Sequence, residues 1–179
     1  MNLALLSTYL NDHLAGSVGG MELVRRARKE NADNAVGEYL AVFLDELQDD
    51  RATLQGVMLA LELKGDLAKQ SAAWVSEKLG RFKLNGRLTS YSPLSRMEEL
   101  EALCLGTEGR LSLWRTLRRL ARKDERLARF DFDMHISRAE RQRRALERLR
   151  QQAADEAFCD EAEGSVLRFR SSPSEHEAH

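Results

Sequence analysis

The chain of 179 residues has little proline, little cysteine and few aromatic residues, and these scarcities exclude several classes of protein. Only two prolines occur, Pro93 and Pro173, so long uninterrupted helices are possible. The two cysteines, Cys104 and Cys159, lie far apart in the sequence, which excludes a disulfide framework and favours a reducing compartment. Aromatic residues make up 6%, and the abundance of Leu, Ala, Arg and Glu favours helices over sheets.

The sequence also has no long apolar run and no large net charge. No stretch approaches the roughly 20 uninterrupted apolar residues of a membrane span. The first residues, MNLALLSTYLNDH, lack the basic region and cleavage site of a signal peptide and are predicted to begin the first helix. The formal net charge is −1, which provides no general attraction to nucleic acid or to anionic membranes. We therefore expect a cytoplasmic protein that binds neither.

Hydrophobic periodicity predicts an all-α domain over residues 1–158. Apolar residues recur at alternating steps of three and four, which indicates four long helices over about 3–29, 35–63, 93–122 and 131–158. A shorter helix is predicted over 66–82, in the long connection between the second and third helices. Asn2 can cap the first helix, and Ser92 followed by Pro93 is typical of a helix start. Periodicity is lost over 159–179, which are predicted to form a disordered tail.

The middle of the first helix is unusually rich in small residues. Residues 15–20 read AGSVGG, and each glycine inside a helix costs roughly 1 kcal/mol relative to alanine. Two explanations remain open. A neighbouring helix or a bulky side chain approaches closely at this point, or the small residues leave room for a ligand.

Four polar residues occupy positions on or beside the buried stripes of the four long helices. They are His13, Asp50, Glu108 and Gln142, whereas His135 is expected about two turns below them. A buried polar group is costly unless it is hydrogen-bonded, so we expect these four side chains to meet. The four residues lie at the same height along the bundle axis only if the connection over 65–91 crosses the full length of the bundle. A direct connection would place apolar residues at that height instead. The sequence therefore predicts an up-down-down-up four-helix bundle with a fifth helix in its crossover.

Three segments carry a resemblance to a known family. TYLNDHLAG (8–16), FLDELQDDRATL (43–54) and KLNGRLTSYSPLSRMEELEAL (83–103) resemble small bacterial proteins of the ferritin-like superfamily. The resemblance extends over about residues 2–158. It implies a four-helix bundle with a long crossover and, in the di-iron members, a carboxylate-bridged pair of metal ions at mid-height.

The ligands of such a two-iron centre are not present in this sequence. The centre needs a Glu-x-x-His motif on each of two helices, and no such motif occurs here. The alternative is a single divalent ion, Fe, Mn or Zn, bound by His13, Asp50 and Glu108. Three further polar residues would surround these ligands: Glu46, Glu101 and Gln142. A hydrogen-bonded network without metal is the favoured interpretation of the same residues.

A basic segment joins the last two long helices. Its arginines include Arg115, Arg118, Arg119, Arg122 and Arg126. They complement the dipole at the end of the third helix and keep the surface solvated; the alternative is a patch that binds an anionic partner. No aromatic residues alternate with these cations, so base stacking is not expected.

These observations favour a non-catalytic bundle that acts as a structural or interaction protein and holds no cofactor. The apolar face of the predicted crossover helix, with Trp74, suggests a homodimer. The alternative function is a metal-binding protein that uses His13, Asp50 and Glu108; an oxidoreductase is one form that such a protein takes.

Overall fold

A computed structural model of the protein describes residues 1–64 and 91–159, and all regular structure in these residues is helical. The helices are α1 (Leu3–Glu30), α2 (Ala35–Ala60), α3 (Pro93–Ala121) and α4 (Phe132–Phe158), with a short 3-10 helix at Glu125–Leu127. No strand occurs among the described residues, so the predicted all-α class is confirmed. The predicted crossover helix over 66–82 and residues 160–179 of the predicted tail lie outside them.

Side-chain caps determine where each long helix begins. The Oδ1 of Asn2 accepts a hydrogen bond from the backbone N–H of Leu5 at 3.2 Å. The Ser92 hydroxyl accepts one from Ser95 N–H, also at 3.2 Å, directly before Pro93. Such caps satisfy backbone donors that have no partner within the helix. Asn34 and Asp131 cap α2 and α4 in the same way.

Helix α2 ends earlier than the sequence predicted, at Ala60, and without a glycine at the reversal. Glu62 adopts a left-handed conformation with φ of 56°. Its N–H donates to Leu59 O at 3.0 Å, and the N–H of Leu63 donates to Met58 O at 2.9 Å. This pair of bonds is a Schellman motif, which satisfies carbonyl groups that the helix itself leaves free.

The buried core is divided into two hydrophobic clusters, one towards each end of the bundle. The first contains Leu10 of α1, Leu61 of α2, Trp114 and Leu117 of α3, and Phe132 of α4. The second is formed by residues of the same four helices nearer the other end: Val24, Leu40, Phe43, Leu100 and Leu146. On every helix, the residues between the two clusters are polar or small at the buried positions. The functional features described below lie at this height.

A polar network at one end joins the turn between α1 and α2 to the beginning of α3. Asn31 is 1% exposed, and its Nδ2 donates to the Tyr91 hydroxyl at 2.7 Å, while its Oδ1 accepts from Arg96 Nε at 2.7 Å. Tyr91 in turn donates to Glu99 Oε2 at 3.0 Å, and Arg26 Nε of α1 donates to Glu99 Oε1 at 2.8 Å. Burial raises the pKa of Glu99, and Arg26 opposes that shift. These bonds hold the start of α3 beside the end of α1.

Two helical glycines differ in the space around them and provide a matched test of this packing. A Cβ added at Gly37 would lie 2.0 Å from the backbone oxygen of Asn31, whereas one added at Gly20 meets nothing within 4 Å. Gly37→Ala should therefore lower the free energy of unfolding by about 1–3 kcal/mol or more, because rigid backbone must move. Gly20→Ala should raise it by up to about 1 kcal/mol through helix propensity. Urea unfolding of both variants measures these changes, and equal effects would contradict the packing described here.

Candidate functional site

The candidate site begins with Asp50, a carboxylate buried at mid-height between the two hydrophobic clusters. Asp50 is only 3% exposed. Its Oδ1 lies 2.6 Å from His135 Nδ1 of α4 and 3.3 Å from Arg138 Nη1, also of α4. Its Oδ2 lies 3.1 Å from Arg110 Nε of α3, although this N–H does not point at the oxygen, so the contact is ionic and is not a directed hydrogen bond. Asp50 therefore joins α2 to both α3 and α4.

The buried amide of Gln142 extends this network by one turn. Its Nε2 donates to Glu46 Oε2 of α2 at 2.5 Å, and its Oε1 accepts a hydrogen bond from Arg110 Nη2. Arg138 Nη1 also donates to the backbone oxygen of Glu46 at 3.3 Å. The amide uses its donor and its acceptor at once, as a buried amide requires. We call Glu46, Asp50, Arg110, His135, Arg138 and Gln142 the mid-height network.

Burial and charge act in opposite directions on Arg110. Burial lowers the pKa of its guanidinium group, and the neighbouring Asp50 carboxylate opposes that shift. The guanidinium also lies over the ring of Phe43, 5.5 Å from its centroid, in a cation–π contact. A buried charge persists only where it is paired and hydrogen-bonded, and Arg110 has both kinds of partner.

His135 is enclosed by the network and by an aromatic stack. Its side chain is 4% exposed, and its ring stacks on Trp114 with centroids 4.5 Å apart. Trp114 stacks on Phe132 in turn, at 6.2 Å. Among the described residues, no serine, threonine or cysteine side chain is hydrogen-bonded to His135. Within residues 1–64 and 91–159, the His135–Asp50 pair therefore has no adjacent nucleophile of the kind that covalent catalysis requires.

A cavity of about 720 Å³ lies beside the network, between α1, α2 and α3. Its wall is mainly apolar and includes glycines from both α1 and α3. A Cβ added at Gly20, Gly106 or Gly109 would meet nothing within 4 Å. At Gly20, open space and not the close approach of a neighbour therefore accompanies the small residue. The lining residues that matter below are Asp12, His13, Gly16, Ser17, Gly20, Leu23, Leu47, Asp50, Arg51, Leu103, Gly106 and Arg110.

Two of the four residues predicted to meet are in the mid-height network, and two are not. Asp50 and Gln142 belong to it, as does Glu46. His13 instead lines the cavity, where its ring meets Tyr9 edge-on with centroids 4.6 Å apart. Burial lowers the pKa of His13, against a smaller opposing effect of Asp12. Glu108 is exposed on α3, and its Oε2 lies 3.6 Å from Arg143 Nε.

The proposed metal ligands are consequently not gathered at one point. Among the described residues, no group of three or more His, Cys, Asp and Glu side chains is arranged to hold a metal ion. Glu101, predicted to stand near these ligands, is exposed. The physical reason is helix rotation, because Glu108 is one residue beyond the buried Thr107 and so points away from the core.

Arg110 and Arg138 were not predicted to belong to the network, and His135 was expected at another height, although the spacing in the sequence contains a signal for each. Leu103, Thr107, Arg110 and Trp114 follow steps of four, three and four, which places Arg110 on the buried stripe of α3. His135, Arg138 and Gln142 follow steps of three and four along α4. His135 was expected two turns below all four polar residues. It is separated from Gln142 by about two turns of α4, but the expectation is wrong for Asp50, which His135 contacts directly, because heights counted from predicted helix ends accumulate errors.

The predicted basic patch lies on the surface at the end of α3 and the turn that follows. Three of its arginines have carboxylate partners: Arg115 with Glu140 at 2.8 Å, Arg118 with Asp133 at 2.6 Å and Arg126 with Asp124 at 2.7 Å. Arg119 and Arg122 are exposed. Local pairing reduces the positive charge of the patch, which favours the solvated-surface interpretation.

Comparisons of the chain with protein-family models, with curated proteins and with solved structures find no significant match. None of the helices in residues 1–64 and 91–159 combines the length and the hydrophobicity needed to cross a membrane. What the site can bind or catalyse is therefore inferred from the geometry of its residues.

Removing the charge of Asp50 tests the mid-height network. Asp50→Asn keeps the shape of the side chain but removes the buried carboxylate that faces Arg110 and Arg138, so the free energy of unfolding should fall by about 3–5 kcal/mol. Asp49→Asn is the matched control: the Asp49 side chain is 71% exposed, so water screens its ion pair with Arg138 at 3.7 Å, and the change should stay within about 1 kcal/mol. Urea unfolding at neutral pH measures both. Similar losses in the two variants would show that Asp50 is not held as described.

Proposed function

We propose that this protein is a non-catalytic, ligand-binding helical bundle that takes up a small, largely apolar molecule in the cavity between α1, α2 and α3. The observation that carries the proposal is the cavity itself. Its volume of about 720 Å³ falls within the range of small-molecule sites, roughly 300–1,000 Å³. Its lining is mainly apolar with a few polar groups, which is the usual composition of a small-molecule site.

The arrangement of polar groups supports binding over catalysis. The His135–Asp50 pair is buried and stacked against Trp114, and His135 is not among the residues that line the cavity. The Asp50 charge is already balanced by Arg110 and Arg138. The mid-height network therefore acts as a support that fixes one wall of the cavity. The metal-binding alternative has no comparable support, because His13 and Glu108 do not approach Asp50 together.

We propose further that the bundle has the ferritin-like up-down-down-up connection. Two observations support this topology. Leu63, after α2, and Leu120, near the end of α3, pack on the same hydrophobic cluster. At the other end, Arg96 and Glu99 at the start of α3 bond to Asn31 and Arg26 of α1. The homodimer predicted from Trp74 rests on residues outside the described ones and stays a prediction.

Filling the cavity tests the proposed function. The uncharged fluorescent probe N-phenyl-1-naphthylamine should bind the wild-type protein with enhanced emission, because its apolar rings leave water. Gly20→Leu adds a side chain at a lining position with open space, so the probe should bind at least about tenfold more weakly, as expected for steric exclusion from an apolar pocket. Ala52→Leu, at an exposed position of α2, should leave binding unchanged. Equal binding by both variants would place the probe elsewhere and contradict the proposal.

Cross-linking tests the topology. In a Cys104→Ser/Cys159→Ser background, the pair Leu63→Cys/Arg122→Cys should be joined efficiently by a short bifunctional maleimide. The control pair, Leu63→Cys/Pro93→Cys, should not be joined within one chain, because its members lie at opposite ends. Mass spectrometry after proteolysis measures both yields. Preferential joining of the control pair would indicate a direct connection.

A further inference from the structure

One cation on the cavity wall has no carboxylate partner within the described part of the chain. Arg51 of α2 reaches across to α1, where its Nη1 donates to Ser17 Oγ at 2.8 Å and to the backbone oxygen of Leu14 at 3.3 Å. Both acceptors are uncharged. These bonds hold the guanidinium group in place without balancing its charge.

The other charged residues of the cavity wall make Arg51 distinctive. Arg110 and Asp50 also line the cavity, but they neutralise each other at 3.1 Å. Asp12 lies at an exposed edge of the cavity, where water screens its charge, and it makes no ion pair with Arg51. His13 adds no cation at neutral pH, because burial lowers its pKa. Among the described residues that line the cavity, Arg51 therefore carries the one positive charge that no carboxylate balances.

On one side of this charge, towards the second hydrophobic cluster, apolar side chains line the cavity. Leu47 lies one helical turn from Arg51 on α2, and Leu23 lies six residues beyond Ser17 on α1, a rise of about 9 Å. Leu103 and the open position at Gly20 adjoin this region. A ligand that matches the wall is therefore charged at one end and apolar along its length.

We propose that the cavity binds an apolar monocarboxylate, whose carboxylate pairs with Arg51 and whose hydrocarbon part extends towards Leu23 and Leu47. This inference rests on the proposed ligand-binding function and specifies its ligand class. A planar guanidinium group matches a carboxylate with two parallel hydrogen bonds. One guanidinium balances one negative charge, so a monocarboxylate fits better than a phosphate dianion.

Octanoate and its uncharged counterpart, 1-octanol, test the inference by calorimetry or by displacement of N-phenyl-1-naphthylamine. The wild-type protein should bind octanoate about 10- to 100-fold more tightly than 1-octanol at neutral pH, the range expected for hydrogen bonds to a charged group. Arg51→Gln should lose this preference and keep its affinity for 1-octanol. Arg51→Lys retains the charge and should keep part of the preference.

The control is Arg141→Gln, which removes an exposed arginine of α4 outside the cavity and should leave both affinities unchanged. Circular dichroism and urea unfolding establish that each variant is folded. If the wild-type protein binds both compounds equally, or if Arg51→Gln keeps the preference, the assignment of Arg51 is overturned while the proposed function stands. If neither compound nor the naphthylamine probe binds, both proposals are overturned.

Discussion

The carboxylate of Asp50 faces an imidazole and two guanidinium groups with almost no access to solvent, and the arrangement of the helices at mid-height depends on it. Charges of this kind are tolerated in a core only when charges of opposite sign lie close to them and further hydrogen bonds support them. The partners come from α3 and α4, so α2, α3 and α4 must keep the register that brings them together. A shift of one residue along any of these helices would leave a charge unpaired.

Helix α1 contributes no side chain to the mid-height network, and the cavity lies along it. Where the other helices carry Asp50, Arg110 and Gln142, α1 carries Gly16, Ser17 and Gly20. Its link at this height is the contact of Arg51 with Ser17 and Leu14, while hydrophobic clusters fasten it above and below. Ionic contacts thus join α2, α3 and α4 at mid-height, whereas α1 is held mainly by the hydrophobic clusters near its two ends. That difference explains why the open space lies on the α1 side of the network.

Parts of the fold and the site were accessible from the sequence. The scarcity of proline and the three-four spacing of apolar residues correctly predicted that the regular structure of residues 1–64 and 91–159 is helical, because helix formation is governed by local spacing and local caps such as Asn2 and Ser92. Asp50 and Gln142 stood out as polar residues on buried stripes, and a buried polar residue signals a partner wherever it occurs. Arg110 was overlooked because arginine is ordinarily solvent-exposed, although its spacing places it beside Trp114.

What the sequence by itself determined is therefore local: the helical class, the caps and the glycine-rich middle of α1. The tertiary structure decided which polar residues meet and what the glycines face. His135 replaces His13 as the partner of Asp50, and Glu108 turns outward, because a rotation of one residue changes the direction of a side chain by about 100°. The space beside Gly20 depends on how far apart α1 and α3 lie, and that distance is set by the side chains of all the helices together.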